Sequence, residues 1–137
     1  MTKENLYKFI SKQKTAFLSS VDENGSPVTR ALLAPRKIEG NDMYFSTNTT
    51  SEKVKQFIAN NKACAYFYER GRFKYQGATI KGKVQVCFDQ PTKESIWRFG
   101  DSIFYKKGVT DPDYCVLKFT GEEAEYYCDL KTEKIEL

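Results

Sequence analysis

The sequence predicts a mainly β protein of the α+β type, an antiparallel barrel of six or seven strands with a few short helices. Three observations carry this. Runs rich in Val, Ile, Thr, Tyr and Phe recur along the 137 residues, and aromatic residues reach 15%. Turn signals separate the runs at Asn24-Gly25, Glu39-Gly40-Asn41 and Arg70-Gly71-Arg72. Helical spacing is confined to short stretches. Six or seven strands with one crossover helix fit a small closed barrel better than a sandwich, because closure removes exposed edges.

In chain order, residues 3–13 form a helix with Leu6, Phe9 and Ile10 on one face, placed to cover a barrel end. TAFLSSVD (15–22) is a strand, Asn24-Gly25 turns the chain, and Pro27 opens the returning strand. Period-two alternation puts Val28, Arg30, Leu32 and Ala34 on one face and Thr29, Ala31 and Leu33 on the other. Both faces are mostly apolar, so this strand is expected to be covered on both. DMYFST (42–47) is the next strand, broken by Asn48. Thr49 and Glu52 then have capping-box spacing for a helix over 50–61, with Val54, Phe57 and Ile58 on its apolar side and Asn60-Asn61 at its end.

Residues 63–69 are a third, aromatic β run. Residues 73–88 are long for one strand, and Gly77 and Gly82 within it predict bulges or sharp bends. Pro91 starts a short helix that Gly100 ends, and 101–113 reads as a mobile loop. CVLKFT (115–120) and AEYYCDL (124–130) close the fold as two strands, and the tail TEKIEL is expected to fray. No internal repeat or linker interrupts the chain, which predicts a single domain over residues 1–137.

Composition excludes several function classes. There is no histidine, so histidine-based triads, histidine general bases and histidine-containing zinc sites are out. The G-x-S-x-G nucleophile elbow is absent, and the carboxylates are scattered. Cys64, Cys87, Cys115 and Cys128 form no C-x-x-C pair and predict reduced, mostly buried thiols with no metal. The net charge of +4 is mild and the lysines are spread, which argues against nucleic acid as a partner. No apolar run approaches the roughly 20 residues of a membrane span, and MTKENLYKFI lacks a long apolar signal region, so a cytoplasmic protein is expected. A chain this poor in acid–base groups suits redox chemistry in which a cofactor moves the electrons.

Residues 27–53 hold the best candidate site. Arg30 inside an apolar strand takes an anion, a structural ion pair or an outward snorkel, because an unpaired buried charge is costly. A helix N-terminus follows shortly after, with free N–H groups and a partial positive charge suited to phosphate. Ser46, Thr47 and Ser51 add hydroxyls there, and Lys53 adds a cation that opposes the helix dipole unless an anion is present. The alternative is an ordinary capped surface helix with a solvated lysine.

Arg-x-Leu-Leu (30–33), Tyr-Phe-Ser-Thr-Asn (44–48) and Ser-x-Lys (51–53) resemble the flavin-mononucleotide signature of the pyridoxamine-phosphate-oxidase-like split barrels. The resemblance runs from about Phe17 to Tyr127 and is nearest to the short, general-stress-protein-like branch. It implies that Arg30, Thr47, Ser51 and Lys53 hold the phosphate of FMN, with Ala31, Leu32, Leu33, Ser46 and Asn48 of the same motifs beside the cofactor. It places a polar ring contact at Gln76 or Gly77. It also implies a homodimer with flavins at the subunit interface, where Trp97 or the Phe104-Tyr105 loop reaches the partner's flavin; the alternative is that these aromatics pack on their own barrel. Glu52 stands where the full oxidases usually carry an arginine, which removes one phosphate partner. Their C-terminal arginine-x-histidine motif is absent, so that oxidase activity is not expected, and no catalytic residue is assigned. The expected function is an FMN-binding oxidoreductase; the alternative is a non-catalytic flavin or haem binding or sensing protein.

Overall fold

The computed structural model describes all 137 residues. Helix α1 (Lys3–Ser11) starts where the Thr2 hydroxyl accepts the Asn5 N–H at 3.1 Å. Its Leu6, Phe9 and Ile10 are buried, with Phe9 edge-on to Tyr126 at 5.9 Å. Strands β1 (Thr15–Val21) and β2 (Pro27–Leu33) form a hairpin. Its loop is organised by Asp22, whose carboxylate accepts the Asn24 and Ser26 N–H groups at 2.9 Å each, while Gly25 supplies the positive φ of 81°. Then come β3 (Lys37–Glu39), β4 (Asp42–Asn48), α2 (Glu52–Ala59), β5 (Lys62–Arg70), β6 (Tyr75–Cys87), α3 (Gln90–Ile96), β7 (Tyr114–Cys128) and β8 (Lys131–Ile135).

The expected fold class holds, with one antiparallel sheet in the order β2-β1-β5-β6-β7-β4-β3 and β8 on the far half of β7. The sheet has eight strands and does not close: β2 and β3 end it, so the barrel is split. Four details differ from the sequence reading. The two closing strands are one continuous 15-residue strand, β7. The tail does not fray but pairs as β8 along residues 124–128, with Ile135 buried. On β2, Thr29, Ala31 and Leu33 are exposed, Leu33 by 75%, because the outer face of the sheet there carries no packed element. The segment 101–113 is not a loose loop: it holds two 3-10 turns, Asp101–Ile103 and Gly108–Thr110.

Twenty buried residues fill the interior with side chains, so a ligand the size of a flavin has room only in the split or on the outer face. Gly82 marks the expected bulge, where the β6–β7 register shifts after Lys81. A Cβ there would strike the Thr120 carbonyl oxygen. Gly77 lies in continuous ladder instead; a side chain there would collide with the Tyr66 hydroxyl.

A smaller cluster of Cys87, Ile96, Tyr114 and Val116 covers the outer face of β4, β6 and β7, with Trp97 and Tyr105 against it. An ion pair fastens its rim. Arg36 donates to both Asp101 carboxylate oxygens, at 2.9 and 2.8 Å, and the two side chains are only 13% and 9% exposed. The Arg98 N–H adds a donor at 2.8 Å. This fork–fork pairing holds the Asp101 carboxyl below its ordinary range.

Two stability predictions follow from these contacts. Asp101→Asn should cost about 3 kcal/mol by urea unfolding, because it leaves a buried guanidinium without its charge partner. Since the folded-state carboxyl titrates below its unfolded value, the pair's contribution is complete above about pH 4 and is lost as pH falls through the lowered value. The gap between wild type and variant should therefore be flat from about pH 5 to 8 and shrink in acid. Gly82→Ala should cost about 2–3 kcal/mol, since the obstacle is backbone and cannot rotate away; an unchanged denaturation midpoint would contradict the close approach.

Candidate functional site

Arg30 lies on the inward row of β2, opposite Leu18 of β1. Its Nη1 donates to the Leu18 carbonyl at 3.2 Å and to the Ser20 hydroxyl at 2.9 Å, and its Nη2 donates to Gln56 Oε1 of α2 at 3.1 Å. The Ser20 hydroxyl in turn donates to the same Gln56 oxygen. Every one of these acceptors is neutral. A guanidinium has five N–H donors, so two, on Nε and Nη2, remain for a ligand. Arg30 forms no salt bridge, and partial burial lowers its pKa.

Lys53 brings the second cation. Its pKa is lowered first by desolvation and then by the charge of Arg30, which places the two in one electrostatic neighbourhood. Cys115, the cross-strand neighbour of Thr47, also faces Lys53. Thr47 is buried on the inward row with Met43 and Phe45. These residues meet at the start of α2.

The expected capping box is not formed. Thr49 is drawn to the opposite segment, its N–H bonding the Asp113 carbonyl at 2.7 Å and its hydroxyl the Pro112 carbonyl at 3.0 Å. Ser51 becomes the N-cap, yet its hydroxyl donates back to the Asn48 carbonyl at 2.9 Å and caps no helix N–H. In the first turn of α2 the Val54 N–H bonds the Ser51 carbonyl at 3.2 Å, which leaves the Glu52 and Lys53 N–H groups free, and Ile58 turns to solvent. Two partly desolvated cations without a carboxylate, beside an uncapped helix start, suit a doubly charged anion such as a phosphate monoester.

The other anticipated residues divide. Leu32 packs inward against the main core, whereas Ala31 and Leu33 lie on the exposed face of β2. Ser46 and Asn48 alternate to the face opposite Thr47, where their partners on β7 are Val116 and Tyr114. Trp97 and Tyr105 pack on their own chain, 5.1 and 5.0 Å from the Tyr114 ring. Burial pushes both Tyr105 and Tyr114 up to about 12. Gln76 and Gly77 sit on β6, three strands from β2, about 14 Å at strand spacing. Gln76 there accepts from Tyr126. The structure thus sets Lys53 near Arg30 and near Cys115, the cross-strand neighbour of Thr47, with Ser51 at the start of the same helix, whereas Gln76 and Gly77 lie apart on β6.

Sequence reasoning missed Ser20 and Gln56. Neither belongs to a motif; Gln56 was legible only as the residue one helical turn after Lys53. It also missed the outer face, where Phe17, Tyr66, Tyr68, Tyr75 and Tyr127 stand with ring centroids 5.8–6.4 Å apart. Their period-two spacing on β5 was the available signal. A cavity of about 550 Å³ touches the Arg30 network only at Ser20. There Lys62, Lys81 and Lys83 are mixed with Glu122 and Glu123, so its charge is largely compensated.

Comparison with known proteins agrees with this fold. A protein from Clostridium acetobutylicum, related to general stress protein 26 of B. subtilis and described as of the pyridoxinephosphate oxidase family, is 30% identical with a TM-score of 0.85; the match covers 100% of this chain and 97% of that one. A FAD-binding protein from Mesorhizobium loti shares the fold at 12% identity and TM-score 0.76, covering 94% and 96% of the two chains. A heme binding protein from Mycobacterium smegmatis does so at 9% and 0.72, covering 97% and 60%. The search of curated proteins returns no match. The family described as pyridoxamine 5'-phosphate oxidase like matches residues 1–136. With its split antiparallel sheet and full-length match, the chain belongs to the pyridoxamine 5'-phosphate oxidase-like family.

Proposed function

We propose that this protein is an FMN-binding oxidoreductase that works as a cytoplasmic homodimer. The observation that carries the reading is the pair Arg30 and Lys53, two partly desolvated cations held without a carboxylate beside the open start of α2. Arg30 and Lys53 would bind the phosphate, with the Thr47 and Ser51 hydroxyls and the first-turn N–H groups around it. The free edge of β2 at Ala31, Leu32 and Leu33 offers unpaired backbone donors and acceptors to the ring. A bound flavin would supply the redox chemistry that the side chains lack. No helix is long and apolar enough to cross a membrane.

The lack of a histidine acid or base favours a second reading, a flavin carrier or sensor without catalysis. Haem would have to take a cysteine, tyrosine or methionine as its axial ligand, since the chain has no histidine. The visible spectrum of the purified protein separates flavin from haem, and bleaching by a reduced nicotinamide separates enzyme from carrier.

The phosphate site is tested by titrating FMN and following quenching of its fluorescence. Arg30→Ala and Lys53→Ala should each weaken binding by about 1.5–3 kcal/mol, the range of a charge-assisted hydrogen bond. Unchanged affinity in both would put the site elsewhere. The dimer is supported by the aromatic outer face and the 75% exposed Leu33 on the edge strand. Light scattering should give twice the chain mass, and Leu33→Arg or Tyr68→Arg should shift it toward the monomer. A wild-type monomer that binds FMN tightly would remove the shared site. Trp97→Ala and Tyr105→Ala should weaken FMN binding if these residues reach the partner's flavin; a dimer indifferent to both would leave them as packing residues only.

A further inference from the structure

Arg30 is oriented by neutral groups alone. Its guanidinium is gripped by a carbonyl, a hydroxyl and an amide oxygen, from Leu18, Ser20 and Gln56. The orientation of the amide is not arbitrary: a guanidinium only donates, so the Gln56 atom facing Nη2 must be its oxygen. Ser20 is 1% exposed and both accepts from Arg30 and donates to Gln56, which ties β1, β2 and α2 into one hydrogen-bonded unit.

The other half-buried arginine shows the contrast. Arg36 is held by the Asp101 carboxylate and has its pKa raised, as a structural ion pair requires. At Arg30 a glutamate in place of Gln56 would fit the same volume and accept the same hydrogen bonds. It would also cancel the charge. An amide gives the geometry of a clamp while leaving the full positive charge for an incoming anion.

We infer that Gln56 is a positioning residue that fixes the Arg30 fork for a phosphate while keeping the site's charge uncompensated, and so sets its selectivity for phosphorylated over unphosphorylated flavin. The inference rests on the phosphate reading of Arg30 and Lys53. It makes the charge of residue 56, rather than its shape, the quantity that matters.

The test compares FMN with riboflavin, which lacks the phosphate, on wild type, Gln56→Glu and Gln56→Leu. Wild type should prefer FMN by about 100-fold or more, as two charge-assisted contacts imply. Gln56→Glu should lower FMN affinity by about 30-fold, on the order of the loss of one such contact, and leave riboflavin within about twofold. Gln56→Leu, which removes the clamp without adding charge, should have a smaller effect on FMN, about 3–10-fold. Without ligand, Gln56→Glu should melt at or above the wild-type temperature, because it creates an ion pair with Arg30. A folded Gln56→Glu protein that keeps the wild-type preference overturns the role of Gln56 and leaves the phosphate site standing. A wild type with no preference for FMN over riboflavin overturns both. Equal losses in the Glu and Leu variants would reduce Gln56 to a packing role and overturn the claim about charge.

Discussion

Strand β7 is the constraint around which the molecule is built. Along 15 residues it pairs with β6 on one edge, while β4 and then β8 share its other edge. One continuous strand can serve these partners only if it bends. The bend is made at Gly82 and Gly121: a side chain on Gly82 would strike the Thr120 backbone, and one on Gly121 would crowd the side chains of Ile80, Leu137 and Tyr7. On one side of the bulge β7 carries the inward residues Leu117 and Phe119; on the other it carries Ala124 and Tyr126. The same strand positions the candidate site, because Cys115 on β7 lies beside Thr47 and the 112–113 segment pulls Thr49 away from α2.

Freed of that threonine, α2 begins late and without a side-chain cap. A helix end left with unsatisfied N–H groups is a standing cost unless water or a ligand meets it. Two cations add to that cost by repelling each other in a partly desolvated setting. The fold tolerates this arrangement beside Arg30 and Lys53, while at Arg36 it supplies a carboxylate. Local strain of this kind is expected where a site is preorganised for an anion, and it contrasts with the compensated pair that fastens residues 96–101.

The aromatic residues are divided by the sheet into two groups with different roles. Trp97, Tyr105 and Tyr114 form a packed cluster under α3 that seals the outer face of β4 and β7. Phe17, Tyr66, Tyr68, Tyr75 and Tyr127 instead line the outer face of β1, β5, β6 and β7, where no element of the chain covers them. Gly77 is part of this second group by omission: without a side chain it gives Tyr66 room to lie across β6. Its place in the sequence suggested a bend, but its function in the fold is clearance.

By itself the sequence determined the things set by local chemistry. Strand alternation, turn residues and helical spacing placed α1, the β1–β2 hairpin, β4, β5 and the bulge at Gly82, while the resemblance of residues 30–53 to a family motif pointed to Arg30, Thr47, Ser51 and Lys53. What depended on partners was not legible. The open split between β2 and β3, the continuity of β7 and the pairing of the tail as β8 are decided by strand pairing between residues far apart in the chain. The loss of the Thr49 cap needed the carbonyls at 112–113, and the staple on Asp101 needed an arginine 65 residues away. Ser20 and Gln56 carry no motif; only the packing of α2 against β1, within reach of the Arg30 side chain on β2, turns a serine and a glutamine into the clamp on Arg30, because hydrogen bonds depend on distance in space and not along the chain.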